Sequence, residues 1–431
     1  MLQQNHSLND AGHFCVAGVD TVALAEKYGT PLYVMDEGLL RQNMRRYVTA
    51  MNRYLPQGSH PLLASKALSF QEIYRIASAE HMGTDIVSAG ELYTALQAGF
   101  PAENMVFHGS AKTDQDVAYA MEAGVGHFVV DNREELERIS RHAQRLGKTQ
   151  PVLLRITPGI DPHTFAAVNT GRVDSKFGAA IETGQAMDMT KAALAVPGVA
   201  LAGFHCHIGS QIAEVEPYLD AVTIMTAFLG QVRRDLGFSA SVLNLGGGFA
   251  VPYVEGDPSV DVEDFIRQIG QALTVCCERE NIPLPAVWME PGRSIVASPG
   301  VTLYTVQSMK SIPGYKDYVA IDGGMTDNPR FALYQSRYTA LIANRADQPQ
   351  NFIATVAGRC CESGDLIGVD MPLQTPQVGD TLAVLVTGAY NYSMASNYNR
   401  VPRPPVVMLR DGEDRLVVRR ETFADIVACD L

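Results

Sequence analysis

Lysine, histidine, carboxylate and glycine recur in this chain where short apolar runs stop. Lys66 closes Pro61–Lys66, Asp85 and Ser88 lie in Thr84–Ser88, and His108 closes Met105–His108. Arg155 lies within Val152–Thr157, and His207 falls near the end of Val199–Ile208. Gly246-Gly247-Gly248 follows Val242–Leu245, and Glu290 closes Ala286–Glu290. Taken singly, each has an ordinary reading. A strand-end lysine can snorkel to water, and glycines make tight turns. Taken together they describe chemistry. A buried ammonium is costly unless it is paired or sheds its proton, and in the second state it is a nucleophile. Consecutive glycines let backbone N–H groups approach a phosphate, and the Pro291-Gly292-Arg293 turn adds a guanidinium. An amine, a phosphate cradle and a carboxylate on one rim are what pyridoxal phosphate requires: an imine-forming lysine, an anchor, and a group that keeps the ring nitrogen protonated.

Periodicity supplies the elements that would gather these residues. The apolar runs above, with His127–Asp131, make eight stretches of strand length. Helical patterns separate them at Gly90–Ala98, Thr113–Ala123, Glu134–Leu146, Gly184–Ala195, Val215–Leu236 and Val262–Glu280, and Ala67-Leu68-Ser69-Phe70 opens another after Lys66. Eight strand–helix units predict an α/β fold, a (β/α)8 TIM-like barrel, with its chemistry at the carboxyl ends of the strands. A doubly wound open sheet is disfavoured because no GxGxxG follows the first strand. Ahead of the barrel, Val22–Tyr28 reads as helix, Pro31–Met35 as extended, and Glu37 to about Tyr54 as a long helix. Beyond Pro291 the texture changes. Val301–Val306, Tyr318–Ile321, Phe352–Val356, Thr381–Thr387, Pro405–Leu409 and Arg415–Arg419 alternate with Gly, Pro, Asp and Asn, which predicts a C-terminal all-β barrel or sandwich. The expected division is 34–295 for the barrel, and 1–33 with 296–431 for the β domain.

Bulk properties narrow the class. At 431 residues the chain exceeds one ordinary core, and its 46% hydrophobic and 19% charged content fits a folded enzyme. A formal charge of −13 disfavours nucleic acid as a partner. No apolar run reaches the length of a membrane span, and the amino end lacks the pattern of a signal peptide. Seven cysteines, an odd number without CxxC spacing, argue against a disulfide framework or a metal site and for a reducing, cytoplasmic setting.

Several motifs carry a resemblance. They are Ala64-Ser65-Lys66-Ala67, Gly83–Leu92, Ser175-Lys176-Phe177-Gly178, His205–Gln211, Leu245–Gly248 and Glu290–Ser294. In the second domain they are Cys361–Asp365, Gly388-Ala389-Tyr390, Met394–Asn399 and Arg419–Thr422. With these the chain resembles the fold-type III pyridoxal-phosphate decarboxylases, and within them the diaminopimelate decarboxylase family, over nearly its whole length. The resemblance implies that Lys66 bears the cofactor, that His207 stacks on its ring and that Glu290 pairs with its nitrogen. Asp85 would belong to the cofactor site. Ser210, Gly246, Gly247, Gly248, Pro291, Gly292, Arg293 and Tyr390 would hold or border the phosphate. Arg293, Arg330, Tyr334, Glu362 and Tyr390 would bind substrate, and Cys361 would return a proton across a homodimer interface made by the β domain. Two departures stand out: the family often has Tyr and Asn where Leu63 and Leu68 stand, and a second His where Phe165 follows His163-Thr164.

The implied reaction is decarboxylation of meso-2,6-diaminopimelate to L-lysine and CO2. Same-fold decarboxylases of ornithine, lysine, arginine or carboxynorspermidine are the nearest alternative, but a simple amine tail would leave Arg330 poorly employed. An alanine racemase would need a second, tyrosine-type base, and a cofactor-free regulatory homologue would not need Lys66 and Glu290.

Overall fold

All eight apolar runs form parallel strands in the computed structural model, which describes residues 4–160 and 175–431. We number the barrel strands β1 (His60–Ala64), β2 (Gly83–Ile86), β3 (Met105–Phe107), β4 (His127–Val130), β5 (Gln150–Thr157), β6 (Val199–His205), β7 (Val242–Asn244) and β8 (Ala286–Met289). Each pairs in parallel with the next, and β8 returns to β1 through Trp288–His60 and Met289–Pro61, closing the ring. The intervening helices fall where the 3.6-residue period places them, among them Ala89–Gln97, Asp114–Ala123, Arg133–Leu146 and Val262–Glu280. The last is capped by Asp261, whose side chain accepts from the Glu263 and Asp264 amides, and ends on left-handed Asn281.

Alternation along the strands explains where the core stops and the chemistry begins. Leu62, Val106, Val129, Leu153, Val242 and Trp288 make one apolar cluster. The Trp288 ring lies 4.8 Å from both His60 and His127. Two positions further along the same strands stand Ala64, His108, Asp131, Arg155, Asn244 and Glu290. A side-chain period of two keeps both sets on one face, so an apolar layer gives way to a polar one toward the carboxyl ends. Leu63, one residue out of phase with Leu62, faces the other way and is fully buried among the surrounding elements.

Three expectations shift. β1 stops at Ala64, and Lys66 lies in a 3-10 turn, Ser65–Ala67, rather than on the strand. The helix expected from Ala67 begins at Gln71, because Leu68 and Phe70 are extended (φ −159° and −157°). β6 stops at His205, so His207 stands two residues beyond it. His163, Thr164 and Phe165 lie outside the described residues.

The chain forms two compact units. The barrel unit comprises Met44–Ala250 and Pro258–Ser294; the other comprises the chain to Asn43, Val251–Asp257 and Ile295–Leu431. The strand Leu32–Asp36, which a boundary at residue 34 would divide, belongs whole to the second unit. It pairs antiparallel with Gly300–Leu303 and parallel with Val406–Leu409. The large sheet of that unit runs from Leu366–Leu373 at one edge to Glu413–Val418 at the other.

Candidate active site

Glu290, one residue past β8, is the centre of the barrel's polar layer and is 7% exposed. Asn244 Nδ2 donates to its Oε1 at 2.7 Å, His205 Nε2 to its Oε2 at 3.1 Å, and His108 Nε2 lies 2.8 Å from Oε1. Burial opposes ionisation of Glu290, but the two imidazoles outweigh it and hold the carboxyl well below its usual range. Burial also lowers both imidazoles, His205 to about 4, so they face the carboxylate as neutral rings. Donation by His205 Nε2 fixes that ring as the Nε2–H tautomer. The result is an anion held by neutral donors and able to accept one more strong hydrogen bond. His108, His205 and Glu290 also form, among the described residues, the one grouping compact enough to ligate a metal ion. The Arg155 charge felt by Glu290 already offsets the carboxylate, which disfavours a dication there.

Around Lys66 the turn is pinned twice. Ser65 N donates to Asp85 Oδ1 at 2.9 Å, and Ser65 Oγ donates to Glu91 Oε2 at 2.8 Å. Glu91 Oε2 also accepts the Val87 amide at 2.7 Å. Burial, then the Glu290 charge, raises Asp85 well above the carboxylate range, while Lys66 opposes this. Asp85 and Glu290 therefore differ in kind: one favours its proton, the other its charge. Ser88 does not join them; its Oγ caps the following helix by accepting Glu91 N at 3.2 Å.

On the opposite arc, Arg293 Nη2 donates to Ser210 Oγ at 3.1 Å, and Arg293 is 8% exposed. A guanidinium beside a hydroxyl is an anion-binding pair. Two amides of the glycine triplet are engaged within the protein: Gly246 N with Asn244 Oδ1 at 2.9 Å, and Gly247 N with His207 Nδ1 at 3.3 Å. The second bond makes Nδ1 an acceptor and orients the His207 ring, which burial keeps neutral. A Cβ at Gly247 would stand 2.1 Å from Glu290 O, so only glycine permits the approach of the two loops. Ala64 N donates to Pro291 O at 3.1 Å, which joins the β1 and β8 ends directly.

The remaining expected residues lie in the second unit. Arg330 is 7% exposed; its Nη1 donates to Tyr253 OH and its Nη2 to Ser336 Oγ, both at 3.1 Å. The rings of Tyr253, Tyr390 and Tyr334 surround its guanidinium at 5.4, 5.7 and 6.0 Å. Cys361 and Glu362 are exposed on a turn, and the contacts of Glu362 are local, with Ser363 Oγ and Gly364 N at 3.4 Å. Among the described residues Glu362 and Arg330 share no hydrogen bond or ion pair. Sequence reasoning did not single out Tyr253 or Asn244, and it held His205 and Glu91 only as members of longer motifs, without a role. For Asn244 and His205 a signal exists, since both stand two positions beyond barrel-facing residues of their strands.

A profile described as "Pyridoxal-dependent decarboxylase, pyridoxal binding domain" matches residues 40–297. The chain is 45% identical to the diaminopimelate decarboxylase of Halalkalibacterium halodurans over 98% of this chain and 96% of that one. It is 44% identical to that of Bacillus subtilis, again over 98% and 96%. The chain belongs to the diaminopimelate decarboxylase family. A crystal structure of the M. jannaschii diaminopimelate decarboxylase in co-complex with L-lysine superposes with a TM-score of 0.90 at 35% identity, covering 100% of this chain and 99% of that one.

Pyridoxal phosphate is the cofactor of this family of decarboxylases, and the donor set of the barrel fits it. Glu290, held as an anion, would suit a protonated ring nitrogen, the Arg293–Ser210 pair would suit the phosphate, and Lys66, in the turn after β1, would supply the amine. The cluster also makes acid stability measurable. His205 binds its proton at about 4 when folded, against 6.5 as its ordinary value. The unfolded chain therefore binds more protons between these limits, and stability falls as pH drops from 6.5 through 4. The expected loss from His205 is on the order of 3 kcal/mol. Urea unfolding of the apoprotein across that range should show a smaller loss in His205→Gln than in the unmutated protein; equal slopes would exclude His205 as the source.

Proposed function

We propose that this chain decarboxylates meso-2,6-diaminopimelate to L-lysine and CO2, the last step of lysine biosynthesis. The observation that carries the substrate is Arg330. It is a buried guanidinium whose hydrogen-bond partners are a tyrosine and a serine, and among the described residues no carboxylate lies in ion-pair range of it. Such a charge is costly to bury without an anion. The distal carboxylate of diaminopimelate would supply one, with Tyr334 and Tyr390 beside it, and Glu362 would take the distal ammonium.

In this reading Lys66 would hold the cofactor covalently through its amine. Bound pyridoxal phosphate supplies an electron sink for the bond that breaks as CO2 leaves. Glu290 would keep the ring nitrogen protonated, Asp85 would stand beside Lys66, and His207 would stack on the ring. Ser210, Arg293, Tyr390 and the Gly246–Gly248 and Pro291–Gly292 turns would hold the phosphate or lie beside it. Arg293 also borders the substrate. The Cys361 thiol would give its proton to the substrate carbon that has lost the carboxyl group.

The reading includes a homodimer, in which the exposed Cys361-Glu362 turn of one copy completes the site of the other. That Glu362 and Arg330 share no hydrogen bond or ion pair within one chain, among the described residues, supports this. A cytoplasmic location goes with it, where seven unpaired cysteines stay reduced. Mixing Lys66→Ala with Cys361→Ala should restore part of the activity through hybrid dimers. Verified hybrids that stay inactive would rule out a shared site.

Assays of CO2 release test the substrate. Meso-diaminopimelate should be turned over well and L-ornithine and L-lysine poorly, since a substrate without the distal carboxylate leaves Arg330 unpaired. That omission costs roughly 2–5 kcal/mol, about thirty- to several-thousandfold in kcat/KM. Arg330→Ala should shrink the gap by damaging diaminopimelate turnover selectively. Equal turnover of ornithine or lysine by the unmutated protein would overturn the assignment.

A further inference from the structure

Two stretches that carry the family resemblance in the second domain, and the segment that leads to Arg330, meet around one buried carboxylate. Asp365 is 2% exposed. Its Oδ1 accepts Met325 N at 2.5 Å and its Oδ2 accepts Cys360 N at 2.6 Å. The same two segments are joined by backbone, Arg359 N to Gly323 O at 2.9 Å, and Gly358 N to Asp365 O at 2.8 Å closes the turn. A third segment braces both. Asn399 Oδ1 accepts Cys361 N at 3.0 Å, and Ser396 N donates to Thr326 O at 2.8 Å.

We propose that Asp365 is a positioning residue that sets the Arg330-bearing segment against the Cys361-Glu362 turn, with Asn399 as a second strut. The proposal rests on the roles assigned above to Arg330, Cys361 and Glu362. Cys361 and Glu362 are exposed, so side-chain packing does not hold them; their place is set from beneath, through the backbone. Hydrogen bonds from backbone amides to a carboxylate are charge-assisted and directional, and here one carboxylate takes an amide from each segment. The space around it admits no substitute. A Cβ at Gly358 would stand 2.2 Å from Asp365 Oδ1, and one at Gly324 2.3 Å from the same atom. Asparagine in place of Asp365 keeps one acceptor and turns an NH2 toward an amide N–H, so one of the two ties breaks whichever way it lies. Asn399, at φ 52°, holds a left-handed conformation that asparagine tolerates and most residues resist.

Amide hydrogen exchange of the holoenzyme, read by mass spectrometry beside steady-state kinetics, tests this. In Asp365→Asn, and independently in Gly358→Ala, peptides covering 322–330 and 358–365 should exchange faster together, by about ten- to a hundredfold. Barrel peptides and cofactor content should be unchanged, and kcat/KM should fall by a similar factor. Asn399→Ala should loosen the 358–365 turn, and Asn399→Asp, which keeps the acceptor, should restore it. Exchange that rises across the whole chain, rises in one segment only or stays as in the unmutated protein would overturn the coupling. So would loosened segments with unchanged kinetics in a protein where Arg330→Ala and Cys361→Ala are impaired. Should those two variants keep full turnover, the assigned roles fail instead, and the exchange pattern alone decides the strut.

Discussion

Lys66→Ala should fold, bind pyridoxal phosphate without a covalent link and lose turnover by roughly 10^4-fold or more, the scale on which removing a nucleophile acts. The structure gives the reason for expecting so local an effect. Lys66 is exposed on a turn whose shape is set by its neighbours, through Ser65 N to Asp85 and Ser65 Oγ to Glu91. Ala67 and Leu68 are buried and unaltered by the substitution. The turn should therefore keep its shape without the ammonium. Borohydride reduction of the unmutated holoenzyme, followed by digestion and mass spectrometry, should fix the cofactor to the peptide containing Lys66. A cofactor label on another lysine, or covalent cofactor retained by dialysed Lys66→Ala, would place the attachment elsewhere.

The barrel was legible because its strands are short apolar runs separated by amphipathic helices with clear caps, as at Asp261 and Asn281. Strand ends were less so. No glycine or proline separates Ser65-Lys66 from β1, and only the pairing of Ala64 with Asp85 and the turn that follows show where the strand stops. The strand Leu366–Leu373 escaped notice because Gly368, Asp370 and Pro372 interrupt it. It tolerates them as a sheet edge, where proline breaks no interior ladder. The site was legible for residues whose types announce chemistry, such as Lys66 and Glu290. It was less so for residues that hold others in place, such as Asn244, which donates to Glu290, and Asp365, which accepts the Met325 and Cys360 amides. An asparagine in a strand or an aspartate in a turn is common, and only the fold shows what it holds. Val251–Asp257, which carries Tyr253, gave no sign that it clusters with the second unit, because that membership rests on contacts remote in sequence such as Thr339 Oγ1 to Tyr253 O at 3.1 Å.

Glu290→Gln should keep the cofactor attached to Lys66 and lose turnover by about 10^3-fold, because the ring nitrogen loses the anion that holds its proton. The neighbours make the charge, rather than the shape, the thing removed. Glu290 sits among donors: Asn244 Nδ2 and His205 Nε2 hydrogen-bond to it and His108 Nε2 adjoins it. Glutamine fills the same volume but offers one acceptor oxygen and turns an NH2 toward a donor. His205 can relieve that conflict by moving its proton to Nδ1, which leaves a neutral cluster with no anion at its centre. Thermal stability should change little, since a buried charge and a well-paired acceptor are lost together. The decisive measurement is single-turnover CO2 release from protein shown by mass spectrometry to carry its cofactor. Near-normal release would remove Glu290 from the reaction. A loss matched by Glu290→Ala, with cofactor retained in both, would identify the negative charge as what Glu290 contributes.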